Sequence, residues 1–159
     1  MYNADGELLY MLTNEYYGDD WQMAHVSIKY PDGGTREEYF NENGSQSSVV
    51  ENRADGSVRE EYFNEDGTPV KFFEKYVDGG TCEGYFYENG NQSSMVENRA
   101  DGSTREEYFN EDGTPIRFID KHEDGTRHEE HFKDGVREYT EYYDADGSLI
   151  EKTLNTVVD

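Results

Sequence analysis

Basic residues are scarce in this chain: 14 Lys and Arg stand against 37 Asp and Glu, leaving a net charge of -23. A surface of that sign repels polyanions, so nucleic acid and anionic membrane are poor direct partners and a basic protein is the favoured one. Apolar residues are also few, at 33% of 159 positions, and no apolar run approaches the ~20 residues that span a bilayer. Cys82 is the only cysteine, so no intramolecular disulfide forms and nothing demands an oxidising compartment. The start of the chain does not read as a signal peptide. The expectation is a soluble cytoplasmic chain, or else a piece of a larger secreted protein. Also missing are a phosphate loop, a Gly-x-Ser-x-Gly elbow and a Cys-His pairing, so no enzyme class is indicated and no cofactor is implied.

A composition this acidic borders on disorder, but 14 Tyr, 8 Phe and 1 Trp argue for folding, because those rings are worth burying. The ordering principle is repetition. Residues 33–78 overlay residues 79–124 at a step of 46, with 34 of 46 positions identical. A shorter beat lies inside the longer one: Gly56, Gly79, Gly102 and Gly125 step by 23, and so do Gly44, Gly67, Gly90 and Gly113. Each unit therefore holds two turns.

Most of these glycines follow Asp or Asn, the strongest short-range hairpin signal. The expected loop is the tight two-residue type, whose central residues both take positive φ. Between the loops run Tyr, Phe, Val and Thr with no sustained helical period, the composition of strands. The expected fold is therefore all-β: an antiparallel meander of tandem hairpin repeats about 23 residues long, in an elongated or coiled sheet. Residues 1–30 read as a degenerate first repeat or cap, 31–147 as the tandem repeats, and 148–159 as a closing strand or tail. The oligomeric state stays open.

The segments Glu83-Gly84-Tyr85-Phe86-Tyr87-Glu88-Asn89-Gly90 and Arg137 to Gly147 resemble the MORN-variant repeat of bacterial antitoxins of the YwqK type. Where that family has a mid-strand glycine, Glu38, Glu61 and Glu107 stand in other copies here. Tyr142 to Leu149 is similar to the YD repeats of bacterial shell and toxin proteins. Glu61 to Gly67 is similar to the β-meander accessory domains of bacterial surface-protein glycosyltransferases. These resemblances imply β-hairpin repeats in a bacterial or phage setting, and none of them implies a catalytic residue.

The candidate functional feature is the repeated Glu-Glu-Tyr-Phe. Strand alternation puts Thr35, Glu37 and Tyr39 on one face and Arg36, Glu38 and Phe40 on the other. A constant step then lines up Glu37, Glu38 and Tyr39 with Glu60, Glu61 and Tyr62, with Tyr85, and with Glu106, Glu107 and Tyr108, as ranks that suit a basic groove. A catalytic carboxylate pair belongs to one pocket, whereas a motif copied at a fixed step describes a surface. The plainer alternative is that Arg36, Arg59 and Arg105 pair with these glutamates and the ranks are merely solvated.

The leading functional expectation is a non-catalytic acidic protein that sequesters or inhibits a basic partner, either a toxin or a nucleic-acid-binding enzyme. The second is a carbohydrate-binding or scaffolding repeat of a larger bacterial surface or glycosyltransferase system. Asp144 to Gly147 lacks the glutamate that a calcium loop needs, since Thr153 holds that place. His128 and His131 are at odd spacing and so point to opposite faces of a strand; no metal site is expected.

Overall fold

A computed structural model describes residues 10–18 and 21–155, and every regular element in them is a strand. The chain divides into two compact units, 1–77 and 78–159. The first holds β1 (Met11–Tyr17), β2 (Gln22–Lys29), β3 (Thr35–Phe40), β4 (Gln46–Asn52), β5 (Val58–Phe63) and β6 (Pro69–Lys75). The second holds β7 (Thr81–Phe86), β8 (Gln92–Asn98), β9 (Thr104–Phe109), β10 (Pro115–Lys121), β11 (Arg127–Lys133), β12 (Val136–Tyr143) and β13 (Leu149–Leu154). Within each unit the strands are hydrogen-bonded in chain order and antiparallel, so the all-β meander expected from the sequence is what forms. Residues 1–9 of the expected first repeat or cap lie outside the described residues, and so does the tail beyond Asn155. Met11–Tyr17 and Leu149–Leu154 are strands, paired with β2 and β12 respectively.

The loops differ from the expected type, and the reason is local. Around Gly67, the Gly67 N–H donates to the Asn64 carbonyl at 2.9 Å and the Asn64 N–H donates to the Thr68 carbonyl at 2.8 Å. Gly67 alone takes positive φ, at 86°. This is a type I turn followed by a left-handed glycine, the three-residue hairpin loop. Tyr30, Asn41, Arg53, Asn64, Tyr87, Arg99, Asn110, His122 and Asp144 each open a loop with the same two hydrogen bonds. In these loops, except at Gly147 where Asp144 does the capping, the residue before glycine is Asp or Asn because its side chain caps the loop, and not because its backbone must turn left-handed. The side-chain oxygen accepts the N–H two residues on, as Asp66 does from Thr68 and Asp112 from Thr114, both at 2.9 Å. Among the described residues, an Asp-Gly pair has positive φ at both positions only at Asp134 (53°) and Gly135 (77°), where Lys133 pairs directly with Val136.

A second regularity sits inside the strands. The register of β3 on β4 jumps from Tyr39↔Ser48 to Phe40↔Gln46, leaving Ser47 as an extra residue. Ala24, Val70, Ser93 and Ile116 are the extra residues at the equivalent places, again at steps of 23. A bulge of this kind bends its strand and raises the local twist. Ala24 extends the beat into β2, before the region where the sequence repeat is strict.

The core is thin. Among described residues only Val26, Val49 and Cys82 are buried hydrophobics, and no side chain is wholly enclosed. Within each unit every substantial strand–strand contact joins sequence neighbours, so each hairpin leans only on the one before and the one after. Loops on the same edge are also tied together. Asn43 Nδ2 donates to the Glu65 carbonyl at 2.9 Å and Asn89 Nδ2 to the Glu111 carbonyl at 2.6 Å, while the Tyr87 hydroxyl reaches the Phe109 carbonyl at 2.7 Å.

Two outcomes follow for the loops. A methyl added at Gly67 would meet open space, so Gly67→Ala carries only the left-handed backbone cost and should lower unfolding stability by about 1 kcal/mol. Hydrogen bonds from Thr114, its hydroxyl first and its N–H second, hold the Asp112 carboxyl below its ordinary value. A depressed folded value contributes stability above the unfolded pKa, and that contribution is lost as pH falls through the folded value. Thermal melts should therefore rank wild type above Asp112→Ala at neutral pH, and the gap should shrink below about pH 3.9. Asp112→Asn should track wild type at neutral pH, since Asn43 and Asn89 fill the same role.

Candidate partner-binding surface

Antiparallel pairing turns the alternation within each Glu-Glu-Tyr-Phe into two different faces. On the first lie Arg36, Glu38 and Phe40 with their equivalents, and opposite charges alternate across the strands. Arg36 pairs with Glu51, Glu51 with Arg59 and Arg59 with Glu74 in the first unit; Glu97, Arg105 and Asp120 follow suit in the second. Each arginine also reaches along its own strand: Arg36 to Glu38 at 2.6 Å, Arg59 to Glu61 at 2.7 Å and Arg105 to Glu107 at 2.6 Å. Arg105 further holds Asp120 at 2.9 Å and Arg59 holds Glu74 at 3.2 Å. The hydrogen bond to Glu107, ahead of the opposing effect of burial, raises the Arg105 pKa above its ordinary value. The guanidinium stems cover neighbouring rings, with Arg105 5.3 Å from the Phe118 centroid and Arg59 5.6 Å from that of Phe72.

The second face carries the first glutamate of each pair and the tyrosine. Here the carboxylates are tied to hydroxyls. Tyr62 donates to Glu60, Tyr85 to Glu83 and Tyr108 to Glu106, each at 2.7 Å. These bonds raise the phenol pKa values of all three, with burial adding to the same direction, so the hydroxyls stay protonated and keep donating. Among the described residues Glu60, Glu83 and Glu106 make no ion pair. Glu37 differs, because His25 Nε2 lies 2.6 Å away and the Ser27 hydroxyl 2.8 Å.

Across the strands an apolar residue separates successive carboxylates of this row: Val50 lies between Glu37 and Glu60, and Val96 between Glu83 and Glu106. The tyrosines are partly covered. Tyr39 stacks on His25 with centroids 4.6 Å apart, Lys71 sits 4.6 Å from the Tyr62 centroid and Arg117 5.2 Å from that of Tyr108. Tyr39 and Tyr85 remain the most open, at 41% and 42% exposure.

The residues singled out from the sequence are therefore split. Glu38, Glu61 and Glu107 belong to the arginine face and are charge-paired. Glu37 and Glu60 share the other face with Tyr39 and Tyr62 in the first unit, and Glu106 shares it with Tyr85 and Tyr108 in the second. Glu83 belongs with them and is easily missed in the sequence because Gly84 interrupts its Glu-Glu pair, although the step of 23 from Glu60 to Glu83 to Glu106 marks it. Clefts lined by Tyr30, Asp32, Arg53 and Asp55, or by Tyr87, Glu88, Asn89 and Glu111, lie at loops, away from these ranks. No helix among the described residues is long and apolar enough to cross a membrane. His128 and His131 do face opposite ways: His128 lies 3.4 Å from Asp120, and His131 lies between Glu129 and Glu141. No protein-family model matches the chain, and no curated protein matches it in sequence.

The two faces should respond differently to loss of charge. Glu107→Gln removes the partner of a half-exposed arginine and should cost about 0.5 kcal/mol, within the range of screened surface pairs. Glu106→Gln keeps an acceptor for Tyr108 and relieves repulsion, so the urea midpoint should stay level or rise.

Proposed function

We propose that the chain is a non-catalytic acidic binding protein that sequesters or inhibits a basic partner through its glutamate–tyrosine face. The observation that carries this reading is the asymmetry of charge compensation. Carboxylates on one face are matched by arginines, whereas Glu60, Glu83 and Glu106 are held in place by phenol hydroxyls that leave their charge unneutralised. Within each unit, carboxylates held in place and left uncompensated are suited to a groove lined with Lys and Arg, because the orienting cost has been met within the fold. The hairpin repeat is compatible with the MORN-variant antitoxin type, and a toxin that acts on nucleic acid carries a basic groove of the required sign. The partner class is thus a basic protein whose own ligand is a polyanion, with no direct nucleic-acid contact by this chain.

A chain of this net charge attracts any polycation, so the test must separate the row from bulk charge. Fluorescent oligolysine and oligoarginine peptides should bind wild type and be released by salt. Glu60→Gln, Glu83→Gln and Glu106→Gln together should weaken binding roughly tenfold. Glu42→Gln, Glu65→Gln and Glu111→Gln remove the same charge from exposed loops and should have a much smaller effect. Equal losses from the two triple variants would show that the face has no special role.

A further inference from the structure

We propose that Glu129, His131 and Glu141 form a binding site for one divalent transition-metal ion of the zinc class. The repeats themselves provide the control for this reading. On the glutamate face, the strand between two glutamate-bearing strands presents an apolar residue: Val50 opposite Glu37 and Glu60, Val96 opposite Glu83 and Glu106, Ile119 opposite Glu106 and Glu129. On β12 that place is taken by Glu141, directly opposite Glu129. Two residues along β11, where the other copies have Tyr39, Tyr62, Tyr85 and Tyr108, stands His131. Two departures from the repeat thus bring two carboxylates and an imidazole to one spot. Like charges directly opposite on paired strands are destabilising unless a cation lies between them.

The geometry matches ligands around an ion better than it matches a hydrogen-bonded cluster. His131 Nε2 is 3.4 Å from Glu141 Oε2 and 3.7 Å from Glu129 Oε2, and this buried nitrogen has no hydrogen-bond partner. Zinc holds nitrogen and oxygen ligands at about 2.0–2.2 Å, so neighbouring corners of its tetrahedron are roughly 3.3–3.6 Å apart. The three ligand atoms lie within 4.8 Å of one another, a spread that side-chain rotation closes.

The surroundings orient the trio. The His131 ring stacks on Tyr139 with centroids 4.4 Å apart. Arg127 Nε holds Glu129 Oε1 at 2.9 Å and Lys152 Nζ holds Glu141 Oε1 at 2.9 Å, which leaves both Oε2 atoms turned to His131. The Tyr143 hydroxyl also donates to Glu141 Oε2 at 3.0 Å, and Lys152 and Tyr143 together keep the Glu141 carboxyl below its ordinary range. Arg117 lies 3.7 Å from Glu129 Oε2. These cations repel a dication and make the site weaker than a closed four-ligand one. Three protein ligands leave a fourth position for water, and the imidazole favours zinc-class ions over calcium and magnesium.

Titration calorimetry of the full chain with zinc should show one ion bound per chain, with no comparable heat from calcium or magnesium. Cobalt should give the intense visible absorption of a tetrahedral N/O site. The informative variants restore the repeat: His131→Tyr and Glu141→Val place residues that the other copies already carry, so both should fold, as circular dichroism will show. Each should weaken zinc binding at least tenfold, while His128→Gln on the opposite face should bind as wild type does. Absence of zinc binding at millimolar metal, or binding that survives both repeat-restoring variants, overturns the proposal. So does an imidazole that NMR shows doubly protonated between the two carboxylates and unchanged by zinc.

Discussion

Within each unit the described strands are stabilised by their neighbours in sequence and by almost nothing else. The constraint follows from composition: with so few aliphatic residues there is no second layer's worth of apolar surface to bury, and Val26, Val49 and Cys82 are what the described residues enclose. Burial of one methylene contributes about 0.8 kcal/mol, so a core of this size cannot carry the fold alone. Backbone ladders, loop hydrogen bonds and side chains that pave the strands supply the remainder. Arginine and lysine serve here as covers for rings as much as carriers of charge, as Arg127 does 3.9 Å from the Tyr143 centroid.

That constraint explains why much of the fold was legible in sequence. The information is local and copied: the Asp-Gly and Asn-Gly pairs mark loops, alternation assigns faces, and the step of 23 carries both from copy to copy. The loop type was less accessible, because Asp-Gly serves two hairpin loops. Gly67 closes a three-residue loop in which Asp66 caps a backbone N–H, whereas Asp134 and Gly135 form a two-residue loop, and the pair of letters is the same. What separates them is spacing: ten residues from Gly125 to Gly135, against eleven or twelve between the preceding loop glycines.

The candidate surface was legible in the same measure. Alternation separates Glu37 from Glu38, but the identity of the partners depends on which residue sits opposite, and the bulges at Ser47, Val70, Ser93 and Ile116 reset that register once per repeat. The ties of Glu60 to Tyr62 and of Glu61 to Arg59 follow from two-residue spacing along one strand and were open to inspection. The meeting of Glu141 with Glu129 and His131 was not, because it depends on where β12 registers against β11 after the two-residue loop at Asp134 and Gly135.

Bulges in phase with the hairpins also govern how such a chain tolerates loss or gain of length. Excising 23 residues between equivalent loops removes two strands and one bulge together, and each survivor finds a successor of the same kind. Cutting out a single strand of eleven or twelve residues reverses chain direction and sets arginine ranks against the wrong neighbours. Genes built on this cadence are thereby free to lengthen or contract in whole hairpins and barred from half-steps.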